Sequence, residues 1–307
     1  MHRISGFRKR EKEGQIRMKY EGAIIRPPSE ANSILLQVTV GCSHNKCIFC
    51  PAYKDKKFRI KSFDEIQEDV REVSRYRSSG KIFLCDGDAL IIPQKKIVQI
   101  LNVIGTHLKG IKRVGTYANA KSILRKSLDE LIELKKLGLT IVYLGVETGN
   151  FDVLQKIKKG VTYSEMVQAG RRIKEAGIKL SATVILGLGG IEKSIEHAVD
   201  TAKILSEINP DFASALTLML VPGTPLYEEY MAGSFVMPDK FGLLKELALI
   251  IENSNFTECY FTSNHASNYL PVKAMLPSEK EKTVSMIYGV IGNHDVKVLR
   301  PEYLRGL

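Results

Sequence analysis

Ile34-Leu-Leu-Gln-Val-Thr-Val40 runs directly into Gly41-Cys42-Ser-His-Asn-Lys-Cys47-Ile-Phe-Cys50-Pro51. A strand-length apolar run therefore empties into a loop that carries three of the chain's five cysteines. The spacing C-x4-C-x2-C lets one short loop wrap a compact inorganic centre, and soft thiolates suit both iron–sulfur clusters and zinc. Three arrangements are open. A structural zinc site would need a fourth ligand, with His44 the local candidate. An electron-transfer cluster would need four thiolates, one of them Cys85 or Cys259 from elsewhere. A [4Fe–4S] cluster held by Cys42, Cys47 and Cys50 alone would leave one iron open to a cofactor.

Working outward, further apolar runs of strand length fall at Lys81 to Cys85, Arg113 to Tyr117, Thr140 to Val146, Leu180 to Leu186 and Ala213 to Leu220. Helical periodicity lies between them: Phe63, Ile66, Val70 and Val73 share a face, as do Ile195, Ala198, Val199, Ala202 and Leu205. Capping boxes at Ser62/Glu65, Ser127/Glu130 and Thr162/Glu165 mark helix starts, and Gly138 and Gly177 mark stops. Repeated strand-then-helix units imply a parallel sheet with right-handed crossovers, either doubly wound or an incomplete (β/α)6 barrel. Both place function at the C-terminal ends of the strands. The alternation fades after about residue 230. The expected organisation is a basic N-terminal extension (1–32), an α/β core (33–230) and a C-terminal cap (231–307). The cap holds a helix near Phe241 to Asn253, another from near Ser278, and a polar stretch, Ser263 to Tyr269, that is the candidate specificity element.

At 307 residues, 44% hydrophobic and 26% charged, the chain can fill a large core, which argues against disorder. It has no apolar run of the ~18 residues that span a bilayer and no secretory leader, so a cytoplasmic location is expected. The net charge of +11 is consistent with nucleic acid, an anionic small substrate or an acidic protein partner. Part of it sits in Lys54, Lys56, Lys57, Arg59 and Lys61, read either as a solvated basic face or as an anion-binding rim.

The cysteine loop resembles that of the radical S-adenosylmethionine (radical SAM) superfamily, with one residue more in the first gap and Phe49 as the aromatic before the last cysteine. Cys85-Asp86-Gly87-Asp88-Ala-Leu90 is similar to that family's Gly-Gly-Glu-Pro segment, with Asp86 in place of a glycine. Gly145-Val-Glu147-Thr-Gly149, with Lys159 further on, is similar to stretches of methylthiotransferases and oxygen-independent coproporphyrinogen dehydrogenases. Thr183 to Gly190 resembles the segment that holds the adenine.

The resemblance covers roughly Ser33 to Tyr227 and implies a partial TIM barrel, a [4Fe–4S] cluster on Cys42, Cys47 and Cys50, and S-adenosyl-L-methionine as cofactor. It further implies cofactor contacts from Phe49, Asp86, Gly87, Asp88, Glu147, Lys159 and Leu186. Asp88 would accept from the cofactor's amino group, Glu147 would face its ribose or methionine part, and Lys159 would pair with its carboxylate. Reduced flavodoxin or ferredoxin would supply the electron that cleaves the cofactor to a 5′-deoxyadenosyl radical, which abstracts hydrogen from a substrate that the sequence does not identify. Cys85 and Cys259 are too few for a second four-thiolate cluster. A zinc-dependent nucleic-acid-binding protein is the competing function; with no tryptophan and sparse aromatics, it has no obvious stacking platform.

Overall fold

In a computed structural model, which describes residues 18–75 and 80–306, the strands are β1 (Ile34–Gln37), β2 (Thr39–Val40), β3 (Arg59–Ile60), β4 (Lys81–Cys85), β5 (Arg113–Ala118), β6 (Leu139–Glu147), β7 (Lys179–Leu186), β8 (Phe212–Thr217), β9 (Cys259–Thr262) and β10 (Lys273–Leu276). One sheet has the order β1-β4-β5-β6-β7-β8-β9-β10. Every pairing in it is parallel except the last, in which β10 runs antiparallel to β9. Helices between successive strands make this a partial TIM barrel, open between β1 and β10. The C-terminal ends of its parallel strands all lie at one mouth.

The local signals act as their chemistry requires. All three capping boxes form, each hydroxyl accepting from the N3 backbone and each N3 carboxylate accepting from the N-cap backbone. Gly138 and Gly177 take φ of 105° and 72°, the left-handed values that close the helices Leu128–Lys136 and Tyr163–Glu175. Ile66, Val70 and Val73 are buried, each contributing about 1.5–3 kcal/mol by leaving water. In the helix Ser194–Ile208 the buried stripe is rotated from the expected one: His197, Ala198, Thr201, Ala202, Leu205 and Ile208 are inside and Ile195 is exposed.

Two expectations change. The run read as one strand to Val40 breaks after Gln37, and β2 turns away to pair antiparallel with β3, closing the neck of the cysteine loop. Residues read as a cap supply β9 and β10 to the main sheet, as well as the helices Lys240–Asn253 and Lys280–Gly292. Of the N-terminal extension, residues 1–17 lie outside the described residues, and 18–32 pack on the sheet. Tyr20 donates to the Leu35 carbonyl at 2.8 Å, the Glu21 amide donates to Gln37 Oε1 at 2.9 Å, and Glu30 is buried against Arg113, Tyr143 and Ser33. This segment covers the edge strand β1 and the N-terminal end of β5.

The two faces of the sheet carry different cores. Leu36, Ile82, Leu84, Val142, Leu180, Val184 and Leu186 join the core shared with the helices. Phe83, Cys85, Ile141 and Tyr143, with Leu35 and Tyr117, form a separate cluster on the opposite face. There the rings of Phe83, Tyr117 and Tyr143 meet edge to face, with centroids 5.0–6.0 Å apart.

Candidate active site

The cysteine loop leaves β2 and returns at β3, and the fold holds it by its neck. Asp86, fully buried just past β4, accepts through Oδ2 from the Gly41 amide at 2.9 Å, from Lys56 Nζ at 3.0 Å and from Gln37 Nε2 at 3.0 Å. Its own amide donates to Thr39 Oγ1 at 2.9 Å. One carboxylate thus ties the residue before Cys42 to the far side of the loop. Gly87 lies directly against Cys42: a Cβ there would stand 3.1 Å from Cys42 Cβ and 2.9 Å from the Tyr53 ring. Gly87→Ala is expected to cost about 1–3 kcal/mol by overpacking and to lower the iron bound per chain after anaerobic reconstitution, measured against wild type.

Asp88 is also fully buried. Its Oδ2 accepts from Ser43 Oγ at 2.5 Å, Ser122 Oγ at 2.5 Å and Asn119 Nδ2 at 2.7 Å. Burial pushes its pKa up to about 6 against the lowering effect of those donors. Asp86 and Asp88 therefore brace the cysteine loop through protein groups.

At the end of β6, Glu147 takes a left-handed φ of 67° at a break in register with β7, a conformation that costs a non-glycine residue about 1–3 kcal/mol. That turn brings Glu147 Oε1 to 2.7 Å from Lys159 Nζ, with both side chains nearly buried. A Cβ on Gly145 would collide with Glu147 Oε1, so glycine makes room for the pair. Burial pulls the Lys159 pKa down, but Glu147 and the thiols of Cys47 and Cys42 outweigh it and hold the lysine above its ordinary value. The Cys47 thiol is pushed up to about 11 by burial, with Lys159 opposing. A nearly buried cation therefore acts electrostatically on these thiols.

Phe49 is half-buried and packs, with Ile185, against Ile48, Val153, Ile157 and Leu226. The Leu186 side chain lies elsewhere. It faces the opposite side of β7, under Leu243, Leu244 and Leu247 of the helix Lys240–Asn253, because alternate residues of a strand point to opposite faces. Ile185 is the β7 residue on the side of Phe49.

His44 takes a different partner from the one a zinc site would need: its Nε2 lies 2.7 Å from the Lys158 carbonyl oxygen. Most of the basic stretch is neutralised internally, Lys56 by Asp86, Arg59 by Glu21 and Glu65, and Lys61 by Asp69. In the Ser263 to Tyr269 segment, Ser263, Ser267 and Asn268 are buried and bonded to the Leu270 carbonyl, the Thr217 amide and the Ala215 carbonyl. Arg300 and Arg305 clamp the backbone of that segment from outside. These side chains build the loop. Cys259 is buried in the helix-side core. A surface depression of about 590 Å³, lined by Tyr163, Gln168, Arg171 and Glu207, lies away from the cysteine loop.

Sequence reasoning missed a buried pair behind β7. Glu246 accepts from the Gly187 amide and from Ser194 Oγ, both at 2.7 Å, and lies 3.8 Å from His197 Nε2. Burial raises Glu246 to about 7 and lowers His197 to about 4, so near pH 6 both are mainly neutral. Because the folded pKa of Glu246 is the raised one, its contribution is full below about pH 4.5 and is lost as pH rises through 7. Glu246→Gln is expected to gain on wild type by roughly 3 kcal/mol as pH rises from 4.5 to 8, read from urea midpoints across that range.

The donor set fits a cluster. Cys42, Cys47 and Cys50 are all free thiols and partly exposed on one loop. Among the described residues no three His, Cys, Asp or Glu side chains converge on a single ion. Thiolates that each take a different iron of one cluster need no such convergence. The sequence profile of the Radical SAM superfamily matches residues 36–225, a span that holds the cysteine loop, β4 with Asp86 to Asp88, and the Glu147–Lys159 pair. The chain belongs to the Radical SAM superfamily. It is an enzyme of that family, which uses a [4Fe–4S] cluster and S-adenosylmethionine.

An uncharacterized protein of Methanocaldococcus jannaschii is 27% identical over 72% of this chain and 69% of its own length. The biotin synthase of Buchnera aphidicola is 25% identical over 63% of this chain, which spans 56% of that enzyme. In fold, the [FeFe]-hydrogenase maturase HydG superposes with a TM-score of 0.51 at 19% identity, covering 83% of this chain and 56% of HydG. Among the described residues no helix is long and apolar enough to cross a membrane.

Proposed function

We propose that Cys42, Cys47 and Cys50 hold the cluster with one iron left for S-adenosylmethionine, and that the enzyme abstracts a hydrogen atom from its substrate at the mouth formed by the C-terminal strand ends. When bound, cluster and cofactor together supply a 5′-deoxyadenosyl radical once an electron arrives. The protein's share is to bind, orient and exclude water. The observation that supports the assignment is the gathering of Cys42, Cys47 and Cys50, all free thiols, on one loop clamped at its neck by Asp86, with the nearly buried Glu147–Lys159 pair at the adjoining strand end.

Glu147 and Lys159 would face the cofactor's ribose and carboxylate, with Phe49 and Ile185 supplying apolar surface. Asp86, Gly87 and Asp88 would act by fixing the loop that bears Cys42. The stretch from Gly145 to Lys159 supports a core related to methylthiotransferases and oxygen-independent coproporphyrinogen dehydrogenases, and reduced flavodoxin or ferredoxin in the cytoplasm suits the electron demand.

The test is anaerobic reconstitution with iron and sulfide. The expected product is a brown protein with about four irons that forms 5′-deoxyadenosine from S-adenosylmethionine when dithionite is added. Stoichiometric zinc, with no iron uptake and no cofactor cleavage, would support the nucleic-acid reading instead.

A further inference from the structure

We propose that the surface formed by Lys46, Lys121 and Lys158 docks an acidic one-electron carrier protein that reduces the cluster, an inference that rests on the function proposed above. Three chain segments meet there. Ser43 Oγ accepts from Asn119 Nδ2 at 2.9 Å, which brings the start of the helix Ala120–Leu124 against the cysteine loop. His44 reaches the Lys158 carbonyl, and its ring lies so close to Gly160 that a Cβ there would be 2.6 Å from Cε1. The Asn45 carbonyl accepts from Lys54 Nζ at 2.9 Å. Lys46, Lys121 and Lys158 are all exposed, and the first two lie near enough to His44 for their charges to act on its ring.

The charge here differs from that of the paired cations of the Lys54 to Lys61 stretch. Lys56, Arg59 and Lys61 are paired with carboxylates, whereas Lys46, Lys121 and Lys158 form no ion pair among the described residues. Glu165, held in its capping box with Thr162, stays charged and interacts with Lys121, and Asp55 is exposed on the loop, so three lysines there face two carboxylates. Unneutralised positive charge therefore collects where the cysteine loop reaches the surface, and Lys46 directly precedes Cys47. A patch of one sign raises the encounter rate with a partner of the other. An electron delivered here enters beside a cluster ligand without crossing the barrel. Neither the cysteine loop nor the helix Ala120–Leu124 carries an exposed aromatic on which a base could stack, which favours an acidic protein; exposed Phe151, at the start of the helix before Lys158, is the one such ring on these segments, and the tRNA probe below tests it.

The test compares two reductants on the reconstituted enzyme and on its Lys46→Glu/Lys121→Glu/Lys158→Glu variant. With reduced flavodoxin, the variant is expected to form 5′-deoxyadenosine about tenfold more slowly, and only the wild-type rate should fall steeply with added salt. With dithionite, which needs no docking, the two rates should agree. Equal rates with flavodoxin overturn the proposal, as does an equal loss with both reductants. So does a variant that loses affinity for a tRNA probe while flavodoxin still drives it at the wild-type rate. Should the triple variant bind less iron, Lys121→Glu alone, outside the cysteine loop, is expected to show a smaller loss confined to flavodoxin. Wild-type enzyme that cleaves no cofactor even with dithionite sinks the proposed function itself, before any variant is compared.

Discussion

Replacing Asp86 by alanine is expected to destabilise the protein by about 3–5 kcal/mol, the cost of leaving one partner of a buried ion pair alone. Lys56 would remain nearly buried with its ammonium deprived of a carboxylate, and the Gly41 amide and Gln37 side chain would lose their shared acceptor. The loss should appear as a lower urea midpoint in chain that has never been loaded with iron. This separates it from any effect of ligation. Asp86→Asn, which keeps an oxygen for one of the donors, should fall between alanine and wild type. An alanine variant within about 0.5 kcal/mol of wild type, the ordinary range for a surface substitution, would show that the loop is held by something other than this carboxylate.

The largest expected effect on activity comes from the cysteines. Cys47→Ala is expected to abolish formation of 5′-deoxyadenosine and to leave most of the iron unbound, because three protein thiolates with no spare cannot lose one and still hold the cluster. The fold should survive, since Cys47 lies on a loop clamped at its neck by the β2–β3 pairing and by Asp86. Its circular dichroism and its urea midpoint before iron loading should therefore stay close to wild type. Cys85→Ala and Cys259→Ala, which remove thiols buried in the two cores, should keep both iron and cofactor cleavage while costing some stability. Retention of iron and turnover by Cys47→Ala would remove that residue from the ligand set.

Much of the fold was legible because each parallel strand reads as an apolar run punctuated by turn residues, and each capping box is a local pattern whose two hydrogen bonds do not depend on the rest of the chain. The same property hid the orientation of β7. A strand buried on both faces has no polar alternation, so the sequence does not tell which of its apolar side chains face the helices, as Leu186 does, and which face Phe49, as Ile185 does. β9 and β10 were missed because each is four residues long and flanked by a polar loop whose serines and asparagine serve neighbouring backbone.

Within the site, the cysteines were readable from spacing, and the Glu147–Lys159 pairing was not, because it depends on a left-handed turn that lets residues twelve positions apart meet. Within the basic run, the burial of Lys56 and Lys61 was hidden for a related reason, while Lys54, Lys57 and Arg59 do reach the surface. The run's partners Glu21, Asp69 and Asp86 are supplied by other parts of the chain, and no local pattern announces them.

The central claim is that one iron of the cluster carries no protein ligand and is taken by the amine and carboxylate of S-adenosylmethionine. It is tested most directly by electron–nuclear double resonance on the reduced, oxygen-free enzyme with cofactor labelled with ¹⁵N at the amine and ¹³C at the carboxylate. Coupling of both labels to the cluster spin is the predicted result. A reconstituted cluster that shows no coupling to either label, with its spectrum unchanged by saturating cofactor, would contradict it.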